Sequence, residues 1–144
     1  MEKKRINIYH GQKKMWSAGT AIRDARGFVF LSGTEGIDPD TDEVVAGAYA
    51  QTRLAMEKIK QRLEEFGASL ENICHVWTYM VGPDFPEGVA QDPKSRERVR
   101  AVQEFWEEHC PDFLNNPPAS TLVGVSGLAR KGMVVEIMVI AAIP

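Results

Sequence analysis

Residues 116–144 read NPPASTLVGVSGLARKGMVVEIMVIAAIP, and the pairing of this stretch decides the fold. It holds two apolar runs rich in residues that suit a pleated surface, separated by the basic segment GLARKG at Gly127 to Gly132. That pattern predicts two strands joined as a hairpin. In the second run, VVEIMVIAAI, apolar side chains fall on both alternating faces, whereas a sheet open to water on one side alternates apolar with polar. Helices are expected on one face and further copies of the chain on the other, which predicts a homo-oligomer. Glu136 is the one carboxylate inside this strand. A carboxylate among apolar neighbours is strongly unfavourable unless it is paired, hydrogen-bonded, protonated or facing a cleft. Glu136 is therefore either a general acid/base or half of a buried ion pair with Arg130, Lys131 or an arginine of a neighbouring subunit.

Working back from this stretch, GFVFLSG at Gly27 to Gly33 reads as a short buried strand, and GIDPDTDEV after it as a turn. Thr52, Met56, Ile59, Leu63 and Phe66 recur at helical intervals with charged residues between them, and Gly67 ends that helix. ENICHVWTYMV reads as another strand. A polar loop then leads into a second helix with Val99, Val102 and Trp106 on its inner face and Asp92–Pro93 or Ser95 at its start. If INIYH at residues 6–10 also pairs, the order is β-β-α-β-α-β-β. The fold class is α+β, with helices on one face of a mixed sheet.

At 144 residues, with 44% hydrophobic and 26% charged side chains, the chain has the composition of one soluble domain with a real core. No apolar run is long enough for a bilayer, and the basic start (Lys3, Lys4, Arg5, Lys13, Lys14) lacks the apolar stretch of a signal peptide, so no membrane partner is expected. A formal charge of -3 counts against recognition of nucleic acid through a basic surface. Two cysteines, Cys74 and Cys110, make no disulfide framework, which fits a reduced, cytoplasmic protein.

Several motifs fail on inspection. DPDTDE from Asp38 starts like a calcium loop, but Glu43 stands where glycine is required and Tyr49 where the bidentate acid belongs. GLARKG has the glycine spacing of a phosphate loop without the Lys and Ser/Thr that would follow. Cys74 and His75 point to opposite faces of a regular strand and cannot share one ion. These two and the His109–Cys110 pair are read as packing or surface residues, and no metal is expected.

The stretches FVFLSGTEGIDPDTDEVVAG, LEEFGASLENICHVWTYM, PPASTLVGVSGLA and VEIMVIA resemble, in order and over most of the chain, the RidA/YjgF family, with a pattern nearest its YjgH-like branch. The resemblance implies a chorismate-mutase-like fold, one Rid-like domain over residues 1–144, and a trimer with clefts between subunits. It also implies hydrolysis of small reactive imines and enamines to keto acids and ammonia, with no cofactor. On this resemblance Glu136 falls on the carboxylate that orders the attacking water, and Gly33 on the glycine whose backbone meets the substrate. Ser120 falls where deaminating members carry an arginine that clamps a carboxylate through two parallel hydrogen bonds. Gly19 falls near a position that is commonly Tyr, and Val99 near one that is commonly Asn.

The expected site is then Glu136 as general acid/base, with Gly33, Thr34, Ser120 and Thr121 binding a small-molecule substrate. For Ser120 and Thr121 a strand hydrogen-bond role stands beside ligand contact. Glu35 is either a second acid or a solvated loop residue. Trp16, Trp77 and Tyr79 are candidate lining, and Trp106 a core residue. Arg23, Arg26 and Arg130 are the candidates to replace the absent arginine. The alternative function is a catalytically silent trimer that binds small molecules. An RNA-directed role conflicts with the acidic balance.

Overall fold

The computed structural model describes residues 1–9, 12–13 and 15–144. His10 of the INIYH stretch and Lys14 of the basic start lie outside the described residues. The main sheet has the strand order β5-β9-β7-β8, with β5 Gly27–Phe30, β7 Ile73–Val81, β8 Ala119–Val125 and β9 Val135–Ile143. A two-residue strand, β6 Thr34–Glu35, also pairs with β9. The β7–β8 pair is parallel and the β7–β9, β5–β9 and β6–β9 pairs are antiparallel, so the sheet is mixed.

This corrects the reading of the closing stretch. β8 and β9 are not a hairpin, because β7 lies between them and bonds to both. Residues 126–134 are long enough to carry the chain across that intervening strand. The order β-β-α-β-α-β-β holds for the main sheet, but its first two strands are β5 and β6. The start of the chain pairs apart from it: β1 Glu2–Ile6 runs antiparallel to β4 Gly19–Arg23, and β2 Ile8–Tyr9 to β3 Gln12–Lys13.

Two helices, α1 Ala48–Glu65 and α2 Pro93–His109, pack against each other and cover one face of the sheet. Ala48, Ala55, Met56, Ile59 and Leu63 form the buried stripe of α1, with Gln51 and Thr52 also buried. Phe66, expected on that stripe, is exposed: it caps the helix C-terminus, and Gly67 turns the chain at φ +76°. α2 starts as its sequence indicates, with the Asp92 side chain accepting from the Lys94 N–H at 2.9 Å and proline in the first turn. Its inner face is centred on Ala101, Phe105 and Trp106, with Val99 and Val102 only half-buried beside it.

Along β9 the burial alternates strictly at first: Val135, Ile137 and Val139 point into the core, while Glu136, Met138 and Ile140 point to the other face. The register carries that face across the sheet. Glu136 stands opposite Tyr79, Met138 opposite Trp77 and Ile140 opposite His75. A bulge between Ile73 and His75 restores the phase, so that Ile73 is fully buried on the helix side. Among the described residues no helix covers this second face, and Phe28 and Phe30 of β5 are 51% and 72% exposed on it. The run expected as a buried strand is thus buried only through Val29 and Leu31.

Gln51 fastens this scaffold from within α1. Its amide donates to Val45 O and Gly132 O, both at 2.9 Å, and its carbonyl accepts from the Val134 N–H at 2.9 Å. One buried side chain thereby pins the loop before α1 and the entry into β9, with both amide donors and the carbonyl oxygen engaged.

Candidate active site

The local chemistry starts at Gly33. A Cβ at this position would lie 2.5 Å from Glu136 Cδ and 2.6 Å from Oε2. The Glu136 carboxyl therefore rests against the Gly33 backbone in space that only glycine leaves open. β6 follows at once and places Glu35 directly opposite Glu136 on the neighbouring strand. Like charges in such a pair destabilise a sheet, and one cation relieves half of the problem. Lys58 of α1 lies 3.6 Å from Glu35 Oε1 and donates to Glu35 O at 3.0 Å.

Glu136 has no such partner among the described residues. Its carboxyl is raised above its ordinary value, first because burial disfavours the charged form and second because Glu35 stands beside it. That shift moves the carboxyl towards the range useful to a general acid/base. The ion pair weighed for it in the sequence is not made among the described residues. Arg130 instead pairs with Asp42 at 3.0 Å, in a turn.

The other expected residues divide. Thr34 faces the core, fully buried, and its hydroxyl accepts from Arg62 Nη1 at 2.9 Å and donates to Ser32 O at 3.2 Å. That hydroxyl ties the sheet to α1. Thr121 is on the uncovered face, where its hydroxyl is 2.9 Å from His75 Nε2. The His75 ring stacks on Trp77 with centroids 3.8 Å apart, and burial lowers its pKa. Ser120 is exposed, on the helix side of β8, opposite Val76. From there it is three residues along the sheet and two strands across from Glu136, with its side chain on the other face. Within one chain, then, Gly33, Glu35 and Glu136 come together, while Ser120 and Thr121 stand apart from them. None of Arg23, Arg26 and Arg130 reaches the carboxyl pair: Arg23 is paired in register with Glu2, and Arg26 donates to Pro144 O at the far end of the sheet.

A family model described as Endoribonuclease L-PSP matches residues 12–143. The chain belongs to the RidA/YjgF family. A RutC family protein of Pyrococcus abyssi is 33% identical over 115 residues, which cover 79% of this chain and 77% of that one. Among solved structures, the Rid family protein YyfB from Yersinia pestis superposes with a TM-score of 0.73 at 21% identity, covering 99% of each chain. Protein YjgH superposes with a TM-score of 0.64 at 26% identity over 89% of this chain and 83% of that one. The RidA/YjgF fold accounts for the sheet and helices described above. Among the described residues there is no cluster of metal ligands, and no helix is long and apolar enough to cross a membrane.

One site residue, Lys58, escaped the sequence reading. Lys58 lies among alternating charges of α1, and nothing in that pattern separates a lysine that reaches the sheet edge from a solvated one.

Proposed function

We propose that this chain is a cytoplasmic Rid-type hydrolase that acts on a small reactive imine, enamine or related C–N compound, in clefts between the subunits of a homotrimer. The observation that carries the reading is the Glu136 carboxyl, seated against the Gly33 backbone, opposite Glu35 and without a cation of its own. Phe28 and Phe30, exposed on the uncovered face of the sheet, support burial by other copies of the chain. Two unpaired cysteines, Cys74 and Cys110, fit a reducing compartment.

The chemistry needs little else. A protonated imine carbon accepts the oxygen of a water molecule while Glu136 takes one of the water protons, giving a carbinolamine. Glu136 then returns that proton to the nitrogen, the C–N bond breaks with its electron pair leaving on nitrogen, and the hydroxyl gives its proton to Glu136, which passes it to the departing ammonia as the carbonyl forms, so that nitrogen leaves as ammonium. The products are ammonium and a carbonyl compound. The Gly33 backbone, against which the Glu136 carboxyl rests, meets the substrate beside that carboxyl, and Thr121 on the uncovered face supplies a hydroxyl to the cleft.

The test is release of ammonia and keto acid from freshly generated 2-imino acids, with Glu136→Gln beside wild type and light scattering to fix the assembly. Acceleration lost in the variant supports the role; full activity in Glu136→Gln rejects it. A second reading, a trimer that binds small molecules without turnover, is favoured by one observation: Ser120, at the position of the family's clamping arginine, brings no cation. Binding by wild type without acceleration on any such substrate would select it.

A further inference from the structure

A cavity of about 720 Å³ beside α2 reaches both faces of the sheet at the outer edge of β8. Val102, Trp106 and Leu122 line it on the helix side, and His75 and Thr121 line it from the uncovered face. Its volume is that of a small-molecule pocket, on the order of several hundred Å³. His75 and Thr121 lie apart from the Gly33–Glu136 cluster: Thr121 stands opposite Trp77 and Trp77 opposite Met138, whereas Glu136 stands opposite Tyr79.

Thr121 and His75 form a donor–acceptor pair. The Thr121 hydroxyl lies 2.9 Å from His75 Nε2, and the ring accepts from it in the tautomer that carries its proton on Nδ1. Burial disfavours the imidazolium and lowers the His75 pKa, which keeps the ring a neutral base. Trp77, stacked on it with centroids 3.8 Å apart, fixes the plane of the ring. A hydroxyl within hydrogen-bond reach of an oriented, neutral base is the arrangement of an activated nucleophile. The edge of β8 adds a donor. Pro118 O accepts from the Ser17 N–H on the outer side of the strand, and Val125 O accepts from the Gly82 N–H on the β7 side, so even-numbered positions direct their backbone polar groups outwards. Beyond Ala119 no strand pairs with that edge among the described residues. The Leu122 N–H, next in the chain after Thr121, therefore lies along the cavity edge without a strand partner, where it can meet an oxyanion.

We propose that Thr121 and His75 act as a nucleophile and its base, and hydrolyse small apolar esters through an acyl-threonine. His75 Nε2 takes the hydroxyl proton as Thr121 Oγ1 bonds to the ester carbonyl carbon, and the carbonyl electron pair moves onto the oxygen facing the Leu122 N–H. As the carbonyl re-forms, the C–O bond to the leaving alcohol breaks with its electron pair on the alcohol oxygen, which receives the proton from His75. Water then adds to the acyl-threonine and gives a proton to Nε2. Collapse returns that proton to Thr121 Oγ1 and releases the carboxylic acid, so water is the one co-reactant. Glu136 takes no part, and the inference stands whether or not the imine-hydrolase reading does.

The probe is 4-nitrophenyl butyrate, given in excess to the full chain while release of 4-nitrophenolate is followed. Release is expected above the rate in buffer, and peptide mapping after an acid quench is expected to place a butyryl group on Thr121. The mapping uses the wild-type chain and so does not depend on how any variant folds. Thr121→Val should bring release down to the buffer rate, Thr121→Ser should keep it, and His75→Gln should slow it about a hundredfold or more. Retention in Thr121→Ser separates loss of the hydroxyl from a packing defect at the strand. No release above buffer, a butyryl group absent from Thr121 or found only on lysines or on His75, or undiminished release in Thr121→Val would each overturn the proposal.

Discussion

Glu35 and Glu136 stand directly opposite each other on β6 and β9, two carboxylates in one antiparallel pair with a cation, Lys58, on the first alone. The unbalanced member carries the raised pKa. From this one relationship follow consequences for stability, for pH dependence and for tolerance at the neighbouring glycine.

Because the folded state raises the Glu136 pKa, the folded chain retains a proton there at a pH where the unfolded chain has lost it. Stability linked to this group is full below the unfolded value of about 4.3 and is lost as pH rises through the folded value. Glu136→Gln removes that loss. Its Tm should exceed that of wild type at about pH 7 and converge with it at about pH 4, measured by thermal melts at matched protein concentration. A lower Tm for the variant at neutral pH would mean that ionised Glu136 is held by a cation in the assembled protein.

Lys58→Met should act through Glu35. Without the ammonium, the Glu35 charge faces Glu136 unbalanced and favours its protonated form further. The acid limb of the pH profile of kcat/KM is expected to move to higher pH. A limb that stays in place would detach Glu35 from the reaction.

At Gly33 the demand is for space. The Cβ of Gly33→Ala needs the position of the Glu136 carboxyl, which can swing away because it ends a flexible side chain. The chain should fold with nearly unchanged Tm, while a displacement of about an ångström costs on the order of a hundredfold in turnover. Loss of folding instead of turnover would show that the backbone, and not the carboxyl, fills that space.

Gln51→Leu tests the scaffold away from the site. It leaves Val45 O, Gly132 O and the Val134 N–H without their buried partner, and should destabilise the chain by about 3 kcal/mol in denaturant titration. A much smaller change would indicate that water replaces the amide.

The helices and β7 were legible because each carries a clean period: fours and threes in Met56, Ile59 and Leu63, and a run of strand formers from Ile73 to Val81. The fold class and the family followed from the same stretches; the resemblance named Gly33 and Glu136 as residues of one site, while the contact between them came only from the structure. Strand order was not legible in the closing stretch, since two apolar runs joined by a short basic segment look alike whether they pair with each other or flank a third strand. Thr34 and Ser120 illustrate the second difficulty. Their side chains are polar, yet strand parity buries one against Arg62 in the core and leaves the other exposed at the β8 edge, and parity depends on exact boundaries that composition does not supply.

The position of β9 between β5 and β7 also bears on synthesis. Its ladder joins residues 27–30 to residues 140–143, so the segments that meet across the sheet are made far apart in time. While β9 is still inside the ribosome, β5 and β6 have no partner, and β7 can pair only with β8. The emerging chain must keep Phe28 and Phe30 unattached until its last strand appears, so folding of the sheet waits on the end of translation of that strand and proceeds by long-range closure, which is slow. A stall in decoding just before β9 would hold the nascent chain in its most aggregation-prone form.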